Sequence, residues 1–108
     1  MTEPKRITPE EVHQKLKASK ALLVCAYDDE AKFKMVQLQG AISLNEFKSK
    51  LPSLEKDQEI IFYWRWGYEK TAAGQAAKYM AMGYQNVRCL AGGVEAWKQA
   101  GYPMVNPE

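Results

Sequence analysis

Apolar residues along this chain fall into two kinds of block: short unbroken runs, and longer stretches at helical spacing. Thr8-Pro9-Glu10-Glu11 combines a capping hydroxyl, a proline at the first helical position and a glutamate three residues after the cap. That is a capping box, and it predicts a helix starting near residue 9, with Val12 and Leu16 on one face and Lys15 and Lys17 facing water. The run 21–26, Ala-Leu-Leu-Val-Cys-Ala, is too short for a helix and reads as a buried strand. Asp28-Asp29-Glu30 places negative charge where a helix N-terminus favours it, so a solvated start and a short helix to about Met35 are expected.

Gly40-Ala41-Ile42-Ser43-Leu44 reads as a turn into a brief extended piece, followed by a short helix capped by Asn45, running to Lys50 and closed by Pro52. Residues 59–64, Glu-Ile-Ile-Phe-Tyr-Trp, form the strongest strand candidate, and the lack of polar alternation predicts a central strand covered on both faces. Gly67 breaks it. From about Lys70 an alanine-rich helix runs to Met82, where Gly83 supplies a left-handed stop. Tyr79, Met80 and Met82 on that helix are expected in the core. Gly74 lowers its helix propensity, which a close approach of helix to sheet would explain. Asn86–Leu90 is another strand, Gly92-Gly93 a tight turn, and Val94–Ala100 a last helix stopped by Gly101. Strands alternating with helices imply parallel βαβ units in one α/β domain over residues 1–108.

Composition narrows the function more than the fold. The chain has 108 residues, 46% of them hydrophobic and 26% charged, which excludes disorder. The net charge is only +2 and the basic residues are scattered among acids, so neither nucleic acid nor a membrane surface is an expected partner. No run approaches the roughly 18 apolar residues of a membrane span. The opening MTEPKRITPEEV lacks the apolar core of a signal peptide, so the expected location is the cytoplasm. Cys25 and Cys89 are too few for a disulfide framework and lack metal-ligand spacing, and no metal or other cofactor is expected. His13 is expected on the exposed flank of the first helix.

Ligands of parallel sheets sit outside the carboxyl ends of the strands. The segment that matters is therefore Trp64-Arg65-Trp66-Gly67-Tyr68-Glu69-Lys70, a strand-to-helix turn whose backbone N–H groups can face an anion. Its aromatic residues and Arg65 are also the types enriched in protein-binding surfaces. Trp64 is expected to pack inward, with Trp66 and Tyr68 divided between packing and contact with a partner.

Several segments resemble the rhodanese-homology domain, the small α/β module of thiosulfate and persulfide sulfurtransferases. Gln39-Gly40-Ala41-Ile42-Ser43-Leu44 is similar to that family's proline-glycine-alanine segment, and Ile61-Phe62-Tyr63 to the strand leading into its active loop. Gly83-Tyr84-Gln85-Asn86-Val87, Leu90-Ala91-Gly92-Gly93-Val94-Glu95-Ala96-Trp97 and Ala100-Gly101-Tyr102-Pro103 resemble its closing pattern. The resemblance covers residues 7–104. It implies a mostly parallel sheet of about five strands with helices on both faces.

The resemblance also implies a cysteine at the head of the active loop, where this chain has Trp64. Sulfur transfer needs a thiolate, and an indole cannot form a persulfide. Glu69 stands where the family loop often ends in arginine, Cys25-Ala26-Tyr27 where a strand usually reads Asp-Val-Arg, and Gln37 where a histidine often precedes the glycine segment. The expected function is thus a catalytically inactive, binding or regulatory domain that engages a protein partner or small anion through residues 64–70. The alternative is a sulfurtransferase in which Cys25 replaces the missing nucleophile.

Overall fold

The computed structural model describes residues 4–65 and 70–105. Its elements in chain order are β1 (Lys5–Ile7), α1 (Pro9–Lys17), β2 (Ala21–Cys25), α2 (Glu30–Met35), β3 (Ala41–Ile42), α3 (Leu44–Lys50), a 3-10 turn (Leu51–Ser53), β4 (Glu59–Tyr63), α4 (Lys70–Ala81), β5 (Asn86–Leu90) and α5 (Gly93–Gln99). The strands form one sheet in the order β1-β5-β4-β2-β3, and every pairing is parallel. The unalternating β4 is the middle strand, flanked by β2 and β5. Burial on both faces explains that pattern.

Alternate residues of each strand feed two separate cores. Leu23, Cys25, Ile61, Tyr63 and Leu90 pack beneath α1, α2 and α5, with Val12, Phe33 and Trp97. Val24, Ile60, Phe62, Val87 and Cys89 pack beneath α3 and α4, with Phe47, Ala76 and Tyr79. Phe47 stands edge-on to both Phe62 and Tyr79, at ring separations of 5.6 and 5.0 Å. Such pairs add specificity to area burial.

The capping box forms as expected: the Thr8 hydroxyl accepts from the Glu11 N–H at 3.2 Å, and Glu11 accepts from the Thr8 N–H at 3.2 Å. Asp29 caps α2 by accepting from the Ala31 N–H at 2.8 Å. Five local expectations need correction. The cap of α3 is Ser43, whose hydroxyl accepts from the Glu46 N–H at 3.0 Å, while Asn45 lies inside the helix and donates to Glu30 at 3.0 Å. Trp64 lies past the end of β4. Lys15 does not simply face water, because it reaches Glu59 at 2.8 Å. Met82 is exposed rather than core, although Tyr79 is buried as expected.

The fifth is Gly74, which is exposed on α4 with nothing within 4 Å of where a Cβ would stand. No close helix–sheet approach explains it. The short β1, absent from the sequence reading, pairs with β5 at the sheet edge, Ile7 opposite Leu90. Three residues with one apolar position leave no periodicity to detect.

Candidate binding site at the carboxyl ends of the strands

β2 and β4 end side by side, with Cys25 opposite Tyr63. Beyond them the chain is tied by buried polar contacts rather than by further strand pairing. The Tyr63 hydroxyl donates to the Val36 carbonyl at 2.9 Å and accepts from the Leu38 N–H at 3.4 Å, which fixes the segment leaving α2. The Trp64 carbonyl accepts from the Val94 N–H at 3.1 Å, which binds the strand end to the start of α5. Gly92 supplies the turn before α5 at φ +76°, a left-handed conformation that suits glycine.

Trp64 is half-buried. Its ring lies 4.2 Å from that of Tyr27, tilted by 41°, and packs against the core beneath α3 and α4. Inward packing is thus realised in part. The next residue, Arg65, lines two hollows. Trp66, Gly67, Tyr68 and Glu69 lie outside the described residues, and Lys70 is described only as the first residue of α4.

Cys25 is fully buried in the core beneath α1, α2 and α5. Burial pushes its thiol up to about 11, overcoming hydrogen bonds at the Tyr27 backbone and the Tyr63 side chain, while the Glu30 carboxylate adds to the rise. At pH 7 such a thiol is ionised in roughly one molecule in ten thousand. Tyr63 is likewise held protonated, by burial first and then by its proximity to Cys25. Cys89 is buried in the other core, on the other face of the sheet, so the two thiols do not approach each other.

His13 is half-buried rather than on an exposed flank. It stacks on Tyr102 at 4.1 Å and stands edge-on to Trp97 at 6.1 Å. This packing holds down the segment after α5, whose Pro103 carbonyl accepts from the Trp97 indole N–H at 2.9 Å. Among the described residues no three His, Cys, Asp or Glu side chains gather in a way that could hold a metal ion. No described helix is long and apolar enough to cross a membrane.

The larger hollow measures about 760 Å³ and lies between α2, Arg65, α5 and the segment Gly101–Met104. The smaller, about 380 Å³, adjoins it and is bounded by Tyr27 and Lys32. Met35, Val36 and Arg65 border both. Sequence reading reached only Arg65 and the neighbouring Trp64 in this region. The available signal for the rest was Met35, an apolar residue following Lys32 and Lys34 on a short helix that buries only Phe33.

The model of the rhodanese-like domain matches residues 8–100, and the chain belongs to that family. The rhodanese-like domain of an Anabaena protein shares the fold with a TM-score of 0.73 at 19% identity, over 99% of this chain and 86% of that one. A human single-domain sulfurtransferase matches with a TM-score of 0.71 at 18% identity, over 91% of this chain and 97% of that one. A Rhodopseudomonas palustris protein described as a possible tyrosine phosphatase matches with a TM-score of 0.69 at 22% identity, over 94% and 84%. At these identities the likeness is one of fold. No curated protein matches the sequence.

Proposed function

We propose that this chain is a rhodanese-like domain that does not transfer sulfur and serves as a binding or regulatory module, working from the carboxyl ends of its strands. The observation that carries this reading is the state of its thiols. Both cysteines are buried, and Cys25, the one at the ligand end of the sheet, is fully enclosed with its thiol pushed up to about 11. A sulfur carrier needs an accessible thiolate, and reactive cysteines have a lowered pKa. Trp64, at the position that resemblance gives to the family cysteine, supplies no thiol.

The human neighbour is named a sulfurtransferase, and in this chain that chemistry would fall to Cys25. Incubation with thiosulfate and cyanide should yield no thiocyanate above the protein-free rate, and intact-mass measurement should find no gain of one sulfur atom. Turnover that vanishes in Cys25→Ser would overturn the module reading and make the protein an enzyme. The mixed chemistry of residues 64–70, with Trp64, Arg65, Trp66, Tyr68, Glu69 and Lys70, suits contact with a protein surface better than capture of a small dianion. Glu69 would oppose such an anion.

A further inference from the structure

We propose that Met35 is an oxidant-sensitive site: a peroxide converts its thioether to the sulfoxide, and the change is felt at the two hollows without unfolding the domain. Helix geometry puts the side chain in reach. Along α2 and its C-cap, Phe33 and Val36 stand three positions apart and both enter the core beneath α1, α2 and α5. Met35 is two positions beyond Phe33, more than half of a turn of about 3.6 residues, and so faces away from that core. It is 68% exposed, the most exposed of the large apolar side chains described.

The other described sulfurs are worse placed. Cys25 and Cys89 are buried on opposite faces of the sheet, and burial keeps the Cys25 thiol protonated. A thiol is oxidised as its thiolate, and only where the oxidant can reach it. A thioether has no proton to lose, so access decides its rate. Met82 is 49% exposed, while Met104 and Met80 are half-buried, one against each core.

In the reaction a lone pair of the Met35 sulfur attacks one peroxide oxygen and the O–O bond breaks. That oxygen stays on sulfur, and its proton passes to the departing hydroxide, which leaves as water. Sulfur is oxidised by two electrons and the peroxide is reduced by the same two. The sulfoxide is polar and chiral, and its oxygen accepts hydrogen bonds where a thioether sulfur accepts only weakly. Met35 borders both hollows, so a single oxygen atom alters the wall they share. The core does not depend on this side chain, which leaves most of its surface outside it.

The test treats the whole chain, labelled with nitrogen-15, with hydrogen peroxide at neutral pH and follows each sulfur by peptide mass spectrometry. Met35 should gain oxygen about threefold faster than Met82, and at least about tenfold faster than Met80, Met104 or either cysteine. Met1 lies outside the described residues and is read on its own peptide. With the first oxygen on Met35, amide shifts should move at Met35, Val36 and other residues bordering the hollows, such as Val94 and Met104, in a spectrum that stays folded. Met35→Leu should abolish both the fast step and those shifts. The two methionine sulfoxide reductases, one for each epimer, with a dithiol reductant should restore the starting spectrum. Oxygen arriving at Met82, Met80, Met104 or a cysteine as early as at Met35 would overturn the proposal. So would a loss of the folded spectrum with that first oxygen, or shifts that leave the hollows untouched. The outcome is independent of the sulfur-transfer assay, since thiocyanate formation reads Cys25 and this experiment reads Met35.

Discussion

The two ends of the sheet are built on opposite plans. At the amino end, Glu59 opens β4 and accepts from Lys15 of α1 at 2.8 Å and from Arg88 of β5 at 2.7 Å, with its side chain only 11% exposed. Asn86 donates to the Asp57 carbonyl at 2.7 Å, and Gln85 to the Lys56 carbonyl at 2.8 Å. Strand, helix and loop are cross-linked there by groups that answer one another. The carboxyl end has two adjoining hollows, an exposed methionine and a half-buried tryptophan. One end is cross-linked by charged groups, and the other carries the hollows. The arrangement follows the general habit of parallel sheets, whose binding crevices lie beyond the carboxyl ends of the strands.

The contrast is broken most forcefully at Gly92. At φ +76° any side chain is strained, and a Cβ there would stand 2.5 Å from that of Ala96. Something must shift, and the N-terminus of α5 is what lies nearby, including the Val94 N–H that holds the Trp64 carbonyl. Gly92→Ala should cost about 2–4 kcal/mol, combining left-handed strain with overpacking. Urea unfolding measures it. A midpoint unchanged from the parent would mean that the turn is slack, and that the carboxyl end is less firmly framed than the distances imply.

Glu59 tests the other end. Burial by itself would raise its carboxyl, but the hydrogen bonds and charges of Lys15 and Arg88 outweigh it, so the group sits below its ordinary 4.5. A folded-state pKa below the unfolded one stabilises the fold above the unfolded value. That contribution is lost as pH falls through the folded value. Stability should therefore decline between roughly pH 5 and pH 3 in the parent, and the decline should be shallower in Glu59→Gln. At pH 7 the substitution should cost about 2 kcal/mol, because two charged donors lose their acceptor charge. An acid limb as steep in Glu59→Gln as in the parent would show that the triad does not govern it.

The two ends also differed in how legible they were. Helix α1, strands β2, β4 and β5 and the glycine stops were readable because capping, burial and left-handed turns act through residues adjacent in sequence. The ion triad was not. Lys15, Glu59 and Arg88 lie 44 and 29 residues apart along the chain, and only the register of β4 beside β5, with α1 above, brings them together. The same holds for the larger hollow, which is assembled from α2, Arg65, α5 and the segment after it. His13 was misplaced for that reason too, since its partners Trp97 and Tyr102 are distant in sequence. At α3 the error was local: Ser43 and Asn45 are both competent caps, and the buried serine is the one placed before the first turn.

Gly74 sharpens the comparison with the smallest effect, and in the stabilising direction. It lies within α4, the helix that leads from the carboxyl-end loop at Lys70 back to Ala81 near the amino end. Glycine in a helix costs about 0.5–1 kcal/mol relative to alanine, and the unfolded chain gains most from its freedom. A methyl group at this position would meet nothing within 4 Å. Gly74→Ala should therefore raise the unfolding free energy by about 0.5–1 kcal/mol, read from the urea midpoint at constant slope. It should leave the acid limb governed by Glu59 unchanged, because it touches none of the side chains of that triad. A destabilisation would require a neighbour over that face of α4.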